Sequence, residues 1–216
     1  MISHSRADRI LATCASALAG FVDAIAFIAL GGFFVSFMSG NTTRLAVDLA
    51  AGTTAAASAA GLVATFVVGV MVGSLIGRLF GSHRRAAVFV AVALLLALAA
   101  GLSGAGAMTV AAVAMALAMG AENAVFETDG EVRIGLTYMT GTLVKLGQRL
   151  TTAVLGGDRL GWVPYLLLWL GLAAGGFAGA LTYAWLGTDG LWIAAAAAAA
   201  LAVVSIRRPW SRGSVR

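Results

Sequence analysis

The chain has 216 residues, of which 61% are hydrophobic and 11% are charged, and its formal net charge is +5. Ordinary soluble domains contain roughly 45–50% apolar and about 25% charged residues. With a mean hydropathy of +0.97, the composition excludes such a domain, because the polar residues are too few to coat a water-soluble surface. It predicts an integral membrane protein.

The first apolar segment follows a charged start and so resembles a signal peptide. Its apolar run, however, continues past Asp23 as far as Phe37 without a convincing cleavage site. We therefore predict an uncleaved first span that carries Asp23 near the middle of the membrane. An ionisable side chain at that depth costs about 2.5–3.5 kcal/mol on insertion scales, so it marks a functional pathway or has a structural partner.

A transmembrane helix needs about 20 mostly apolar residues. Six segments of the chain predict such helices, at residues 10–30, 55–80, 86–101, 107–126, 162–186 and 191–206. Two further segments, 32–50 and 134–154, are too polar to be clean spans and too apolar to be ordinary loops. The predicted fold class is therefore an all-α membrane protein with six transmembrane helices and two motif segments.

The two motif segments, about a hundred residues apart, carry nearly the same sequence. Residues 38–42 read MSGNT, which we call the first motif, and residues 139–143 read MTGTL, the second motif. Upstream of them, Asp23 corresponds to Asn123. A polar motif that recurs in an apolar chain indicates an internal duplication, which is common in transporters and channels.

The arginines predict the orientation, because cytoplasmic loops are enriched in Lys and Arg. With six spans, Arg78, Arg84 and Arg85 lie on the same side as both termini, whereas eight spans would place these three outside. We predict six spans with both termini cytoplasmic. Three spans per copy would then invert the second copy, giving a first repeat at 1–104, a second repeat at 105–206 and a basic cytoplasmic tail at 207–216.

Each motif has the residues of a turn that leads into a helix. Gly40 and Gly141 permit a tight turn or a close backbone approach. The predicted helix N-caps are Ser39 or Asn41 in the first motif, and Thr140 or Thr142 in the second. One interpretation is a re-entrant or broken segment entering from each face, with helix N-termini that suit polar or anionic solutes. The alternative is a pair of interfacial loops with amphipathic helices.

The candidate substrate path combines the motif residues with the polar residues of the spans. We predict that a path or binding site is lined by Asp23, Ser39, Gly40, Asn41, Thr42, Glu122, Asn123, Thr140, Gly141 and Thr142. Asp23 would bind a proton or a cation there; alternatively, helix N–H groups or Arg44 satisfy it structurally. Arg44 and Lys145 are candidate gate charges, and anchoring at the membrane interface explains both equally well.

No catalytic pattern is visible in the sequence. There is no phosphate-binding loop, no Ser/His/Asp order and no His/Glu metal motif. Cys14 is the single cysteine and excludes a disulfide framework. We therefore expect no enzymatic activity, no metal and no cofactor. We also expect no nucleic-acid partner, since the arginines lie at span ends and in the tail.

The motifs, together with Gly20, Asp23, Asn123 and the sequence TYMTG at 137–141, form a pattern that spans nearly the whole chain. This pattern resembles the YoaK-like family of multi-pass bacterial inner-membrane proteins, from which it departs at Ser39, where the family has threonine. The resemblance implies a multi-pass protein of the kind described as a small-molecule permease, without a firm substrate.

The function that we predict is an inner-membrane permease or channel-like transporter for a small polar or anionic solute. Its partners would be the lipid bilayer and that solute, and a homo-oligomer is left open. The alternative is a non-transporting membrane scaffold or assembly protein whose motifs only pack helices. A membrane-embedded enzyme ranks third. A polar cavity that reaches both motifs would favour transport, and a dry apolar centre would favour the scaffold.

Overall fold

The computed structural model describes residues 6–128, 131–132 and 134–206, and within them the protein is all-α apart from one two-residue hairpin. The helices are α1 (Arg6–Ala29), α2 (Met38–Ala50), α3 (Ala55–Phe80), α4 (Arg84–Gly104), α5 (Met108–Glu122), α6 (Met139–Val154), α7 (Val163–Leu186) and α8 (Gly190–Ile206). Strands β1 (Glu127–Thr128) and β2 (Glu131–Val132) pair antiparallel after α5. The predicted basic tail, 207–216, lies outside the described residues.

Six of these helices coincide with the six predicted segments to within about one turn at each end. Four continuous helical stretches are long and apolar enough to cross a membrane: Arg6–Ala29, Ala55–Gly104, Met108–Phe126 and Val163–Ile206. The prediction of an all-α membrane protein is therefore confirmed.

Two of the four stretches contain two helices each. Ala55–Gly104 has 50 residues, which as one straight helix would measure about 75 Å against a hydrocarbon core of about 30 Å. A 3₁₀ turn, Gly81–His83, divides it into α3 and α4, and the turn Gly187–Asp189 divides α7 from α8 in the same way. Gly81 and Gly187 adopt φ of 51° and 57°, a left-handed conformation that glycine adopts without strain.

Helices α2 and α6 occupy the C-terminal parts of the predicted motif segments, but their caps differ from the prediction. They begin at Met38 and Met139, preceded by Phe37 and Tyr138, and no side chain caps either helix. The residues predicted as caps therefore lie inside the first turn, and that prediction is wrong. Instead of capping the helix, the Thr142 hydroxyl donates back to the Tyr138 carbonyl at 3.2 Å.

Glycines bring α1 and α7 into direct backbone contact. A Cβ added at Gly175 would overlap the carbonyl oxygen of Ala17, and one at Gly179 would overlap that of Phe21. Small residues at such positions allow membrane helices to approach closely. Because higher residue numbers on one helix meet higher numbers on the other, α1 and α7 run parallel.

The pair α3 and α5 is built in the same way. A Cβ at Gly69 would overlap the backbone of Leu117, and one at Gly73 would overlap that of Ala121. These two helices are therefore also parallel. Each pair joins a helix from the first half of the chain to one from the second half.

Helix α4 packs against α5 and α8, and α8 also contacts α1. The ends of α1 define their directions. Arg85, at the start of α4, binds Asp8 at the start of α1, whereas Gly190, at the start of α8, lies beside Ile25 near the end of α1. The core between these helices is apolar and includes the fully buried side chains of Phe89, Leu96, Met115, Met119 and Leu191.

Candidate functional site

Asp23 anchors the segment that connects α1 to α2. After α1 the chain reverses at Gly31 and Gly32, with φ of 65° and 92°, and then runs back along the helix. The backbone N–H groups of Val35 and Ser36 donate to Asp23 Oδ1 at 2.7 and 2.9 Å. The carboxylate thus binds two donors of a connecting segment that has no strand partner.

The position of Asp23 along α1 differs from the prediction. At about 1.5 Å per residue, Asp23 lies about 9 Å from the end of α1 at Ala29. The helix begins at Arg6 rather than at residue 10, so its midpoint precedes Asp23. The predicted mid-depth location is therefore corrected towards the C-terminal end of α1.

Asn41 ties α2 to the same segment. It is fully buried, its Nδ2 donates to the carbonyl of Phe34 at 2.6 Å, and its Oδ1 accepts from the N–H of Phe34 at 3.0 Å. The side-chain amide satisfies both backbone groups of Phe34, as a neighbouring strand would do. This structural role explains why an asparagine occurs in the first motif.

Arg44 closes the first turn rather than pairing with Asp23. Its guanidinium donates to the carbonyl oxygens of Gly31 and Gly32 and lies over the ring of Phe33, 3.9 Å from the ring centroid. The ion pair between Asp23 and Arg44, one of the sequence-based alternatives, is therefore wrong. The other alternative, N–H donors of a helix, is also wrong, because the N–H groups that bind Asp23 belong to the connecting segment between α1 and α2.

The second copy repeats this anchoring with a neutral residue. The Thr137 hydroxyl donates to Asn123 Oδ1 at 3.2 Å, and Asn123 Nδ2 donates to the Met119 carbonyl at 3.0 Å. The hydroxyl of Ser16 on α1 also lies 3.1 Å from the Leu136 carbonyl oxygen. The segment before α6 is thus held to α5 and α1, as the segment before α2 is held to α1.

The remaining motif residues do not converge on one cavity with Asp23 and Asn123. Five of these residues are exposed on α2 and α6: Ser39, Thr42, Thr140, Gly141 and Lys145. Gly40 packs beneath the ring of Phe37, and Thr142 is buried. Helix α2 packs on α3 and α6 packs on α7, each with much of its surface exposed. The predicted single path through both motifs is not assembled in this conformation.

Glu122, the last residue of α5, is 0% exposed, and neither carboxylate oxygen has a hydrogen-bond partner among the described residues. Its neighbour Asn123 is also buried, but both the nitrogen and the oxygen of its side-chain amide form a hydrogen bond. A buried polar group without a partner costs stability. A glutamate at position 122 therefore lowers the stability of the fold, and its presence needs an explanation other than stability.

Charged residues that sequence reasoning did not assign to the site surround the same end of the molecule. Arg85 binds Asp8 at 2.6 Å and lies over the ring of Phe126, while Arg84 lies 3.7 Å from Glu127. These pairs connect α1, α4 and the turn after α5. The signal that pointed to them is the Arg-Arg pair at the start of a span, which the sequence analysis assigned to topology alone.

An open groove of about 340 Å³ lies between α1 and α7 beside Asp23. Its lining is apolar except for that carboxylate: Gly20, Ala24, Phe27, Ile28, Phe34, Leu172, Ala173, Gly176 and Ala180. The groove reaches the segment before α2 through Phe34 and contains no residue of the second motif.

Comparison with known proteins agrees with this membrane architecture. The family described as Protein of unknown function (DUF1275) matches residues 11–204. The chain is 37% identical over 199 residues to UPF0700 transmembrane protein RA0705 of Rhizobium meliloti (strain 1021), covering 92% of this chain and 86% of the relative. No solved structure matches the chain significantly. The protein therefore belongs to the DUF1275 family, a family of multi-pass bacterial membrane proteins, as the sequence resemblance predicted.

Proposed function

We propose that the protein is an inner-membrane transporter that moves a small polar solute by alternating access. The observation that carries this proposal is Glu122, a fully buried carboxylate without a partner among the described residues. A scaffold gains nothing from such a group, because an apolar residue of similar volume would pack there without the desolvation cost. In membrane proteins, buried ionisable residues of this kind commonly serve ion or proton pathways.

The transport unit that we propose consists of six spans in two inverted repeats, 1–104 and 105–206. The directions of the helices support this arrangement. If α1 runs outwards, then α7 and α4 run outwards and α3, α5 and α8 run inwards, so the two halves have opposite orientations. The matching glycine contacts of Gly69 and Gly73 in one half and Gly175 and Gly179 in the other also support a two-fold relation.

Both termini face the cytoplasm in this proposal. Arg84 and Arg85 lie at the end of the molecule where α1 begins, held there by Asp8 and Glu127. Positive charge concentrates on the cytoplasmic side of bacterial membrane proteins. The end that contains Glu122 is then the inner end, and the end nearer Asp23 is the outer one.

The moving parts would be the two glycine-packed helix pairs, α1 with α7 and α3 with α5. Direct backbone packing makes each pair a rigid body, and α4 and α8 lie between the pairs. The ion pairs of Arg84 and Arg85 would close the inner end in the present conformation. Rocking of the two helix pairs would open the apolar centre to each side of the membrane in turn, as in other inverted-repeat transporters.

The second candidate function is a membrane scaffold or assembly protein. Two observations favour it: the apolar packing of the centre, and a groove that reaches only the first motif segment. We propose no enzymatic activity and no cofactor for either candidate.

Solute flux in proteoliposomes tests the two candidates. The purified protein would be screened against a broad panel of polar, cationic and anionic solutes, with a lumenal pH dye to detect coupled protons. Transport predicts flux for at least one class, and Glu122→Gln should abolish proton coupling while the protein stays folded.

Gly101→Ala on α4 is the matched control, because a Cβ there meets no atom within 4 Å. This variant should transport like the unmodified protein. Absence of flux for every solute, with folded protein in the liposomes, would instead establish the scaffold candidate.

A further inference from the structure

The groove between α1 and α7 contains a negative charge that the second copy lacks at the corresponding position, Asn123. Asp23 Oδ1 accepts the two backbone hydrogen bonds from Val35 and Ser36, and the carboxylate also interacts with the Ser36 hydroxyl and the backbone N–H of Phe37. In the second copy, the neutral Asn123 anchors the equivalent segment through the Thr137 hydroxyl. A neutral amide therefore holds the segment in the second copy, and the negative charge of Asp23 distinguishes the first copy from the second.

No cationic side chain neutralises this charge within the described part of the chain. The ion pairs found there join Arg84 to Glu127 and Arg85 to Asp8. Arg44, the basic residue of the first motif, is engaged by the carbonyl oxygens of Gly31 and Gly32. The carboxylate instead lines the groove.

The walls of the groove suit an apolar body with a positive end. Phe27 and Phe34 lie side by side, with ring centroids 4.8 Å apart, and aromatic rings attract cations as well as apolar groups. Ile28 and Leu172 supply aliphatic surface, and Gly176 has no side chain that would fill the groove. The volume of about 340 Å³ lies at the small end of the range of about 300–1,000 Å³ for ligand pockets.

We infer that this groove binds a small amphipathic organic cation, with its ammonium group at Asp23 and its apolar body against Phe27, Phe34 and Leu172. The inference rests on the proposed function and assigns a substrate class to it. It selects a cation over the anionic solute that the helix N-termini suggested, because the one charged group in the groove is a carboxylate.

Binding of three matched probes to the full chain in nanodiscs tests the inference. The probes are 4-phenylbutylamine, the neutral 4-phenylbutan-1-ol and the anion 5-phenylpentanoate, measured by titration calorimetry with empty nanodiscs as the blank. The amine should bind about tenfold or more tightly than the alcohol, a difference of about 1.4 kcal/mol per factor of ten, and the anion should not bind. Equal affinity for the amine and the alcohol would overturn the inference in favour of an apolar lipid site.

Two variants locate the site. Asp23→Asn keeps an acceptor for Val35 and Ser36 and should reduce amine affinity to that of the alcohol. Gly176→Leu should weaken both ligands by filling the groove, since a Cβ at this position meets only the Gly20 carbonyl oxygen, at 3.6 Å. Gly101→Ala should bind all three probes like the unmodified protein.

Several results would contradict the assignment. Unchanged amine binding in Asp23→Asn would do so, as would a dimer that Gly176→Leu dissociates in light scattering, because a second copy would then cover the groove. If Asp23→Asn unfolds on heating at a much lower temperature, Gly176→Leu and Ala173→Leu decide the question, since both leave Asp23 in place.

The outcome of this binding test can be distinguished from the outcome of the flux test of the proposed function. Flux that depends on Glu122, with no amine binding at Asp23, would reject only the substrate class. Amine binding without flux of any solute would reject transport and leave the cation site.

Discussion

Asp23 on α1 accepts a hydrogen bond at 2.9 Å from the backbone N–H of Ser36, thirteen residues later in the chain. In the second half of the chain, Asn123 accepts a hydrogen bond at 3.2 Å from the side-chain hydroxyl of Thr137, fourteen residues later. In both halves, a polar side chain thus holds the segment that precedes a motif helix, Asp23 from within α1 and Asn123 from the turn directly after α5. This anchoring is the structural meaning of the repeated polar residues.

The anchoring predicts opposite effects for two substitutions of Asp23. Asp23→Ala leaves the N–H groups of Val35 and Ser36 without an acceptor, which costs about 1–3 kcal/mol for each unsatisfied buried group. Asp23→Asn keeps the acceptor and should change stability little. Thermal unfolding of both variants in the same detergent measures the difference, and equal melting temperatures would contradict the anchoring role.

The close contact of α1 and α7 predicts a contrast between neighbouring glycines. Gly175→Ala would force the helices apart, because its Cβ overlaps the Ala17 carbonyl, and overpacking costs about 1–3 kcal/mol. Gly176→Ala adds the same methyl group at 3.6 Å from the Gly20 carbonyl oxygen and should be tolerated. A lower melting temperature for the second variant than for the first would contradict this packing.

The ion pair between Asp8 and Arg85 predicts coupling between two helices. The Arg85 side chain is 8% exposed and that of Asp8 is 22% exposed, so Arg85→Ala leaves a partly buried carboxylate without this cation, at a cost of about 3 kcal/mol.

A double-mutant cycle with Asp8→Asn isolates the energy of the pair from the other contacts of both residues. If the pair also closes the inner end, Arg85→Ala should increase the labelling of a cysteine introduced at Glu122 from the cytoplasmic side. Additive effects of the two substitutions would show that the pair contributes no stability.

The proposed topology predicts which sides of the membrane are labelled. After Cys14→Ser, cysteines introduced at His83 and Asp158 should react with a membrane-impermeant reagent only from the cytoplasmic side. Cysteines at Ala50 and Ala105 should react only from outside. All four positions are exposed, so accessibility depends on the membrane and not on packing. Labelling of His83 and Ala50 from the same side would exclude the six-span arrangement.

The sequence by itself determined the secondary structure of this protein closely. The segment 55–80 was predicted as a span and is α3 with the same bounds, and α7 begins one residue after its predicted start. This success has a physical reason: in a membrane, a long apolar segment must satisfy its backbone hydrogen bonds internally, so length and hydropathy almost dictate a helix. The correspondence of Asp23 with Asn123 was also visible in the sequence, because duplication preserves spacing.

Only the tertiary structure decided which groups the polar residues bind. Asp23 binds the backbone of residues 35 and 36 rather than Arg44, and Asn41 binds the backbone of Phe34 rather than capping a helix. Every residue except proline has the same backbone N–H and carbonyl, so no sequence pattern tells which of these groups a connecting segment leaves without a backbone partner.

The groove at Asp23 and the pair of Asp8 with Arg85 also depend on contacts between distant parts of the chain. Leu172 and Gly176 meet Asp23 because glycines let α7 touch α1, and Arg85 meets Asp8 because α4 begins where α1 begins. Helix order does not specify which helices become neighbours; the fit of small residues against an opposing backbone does.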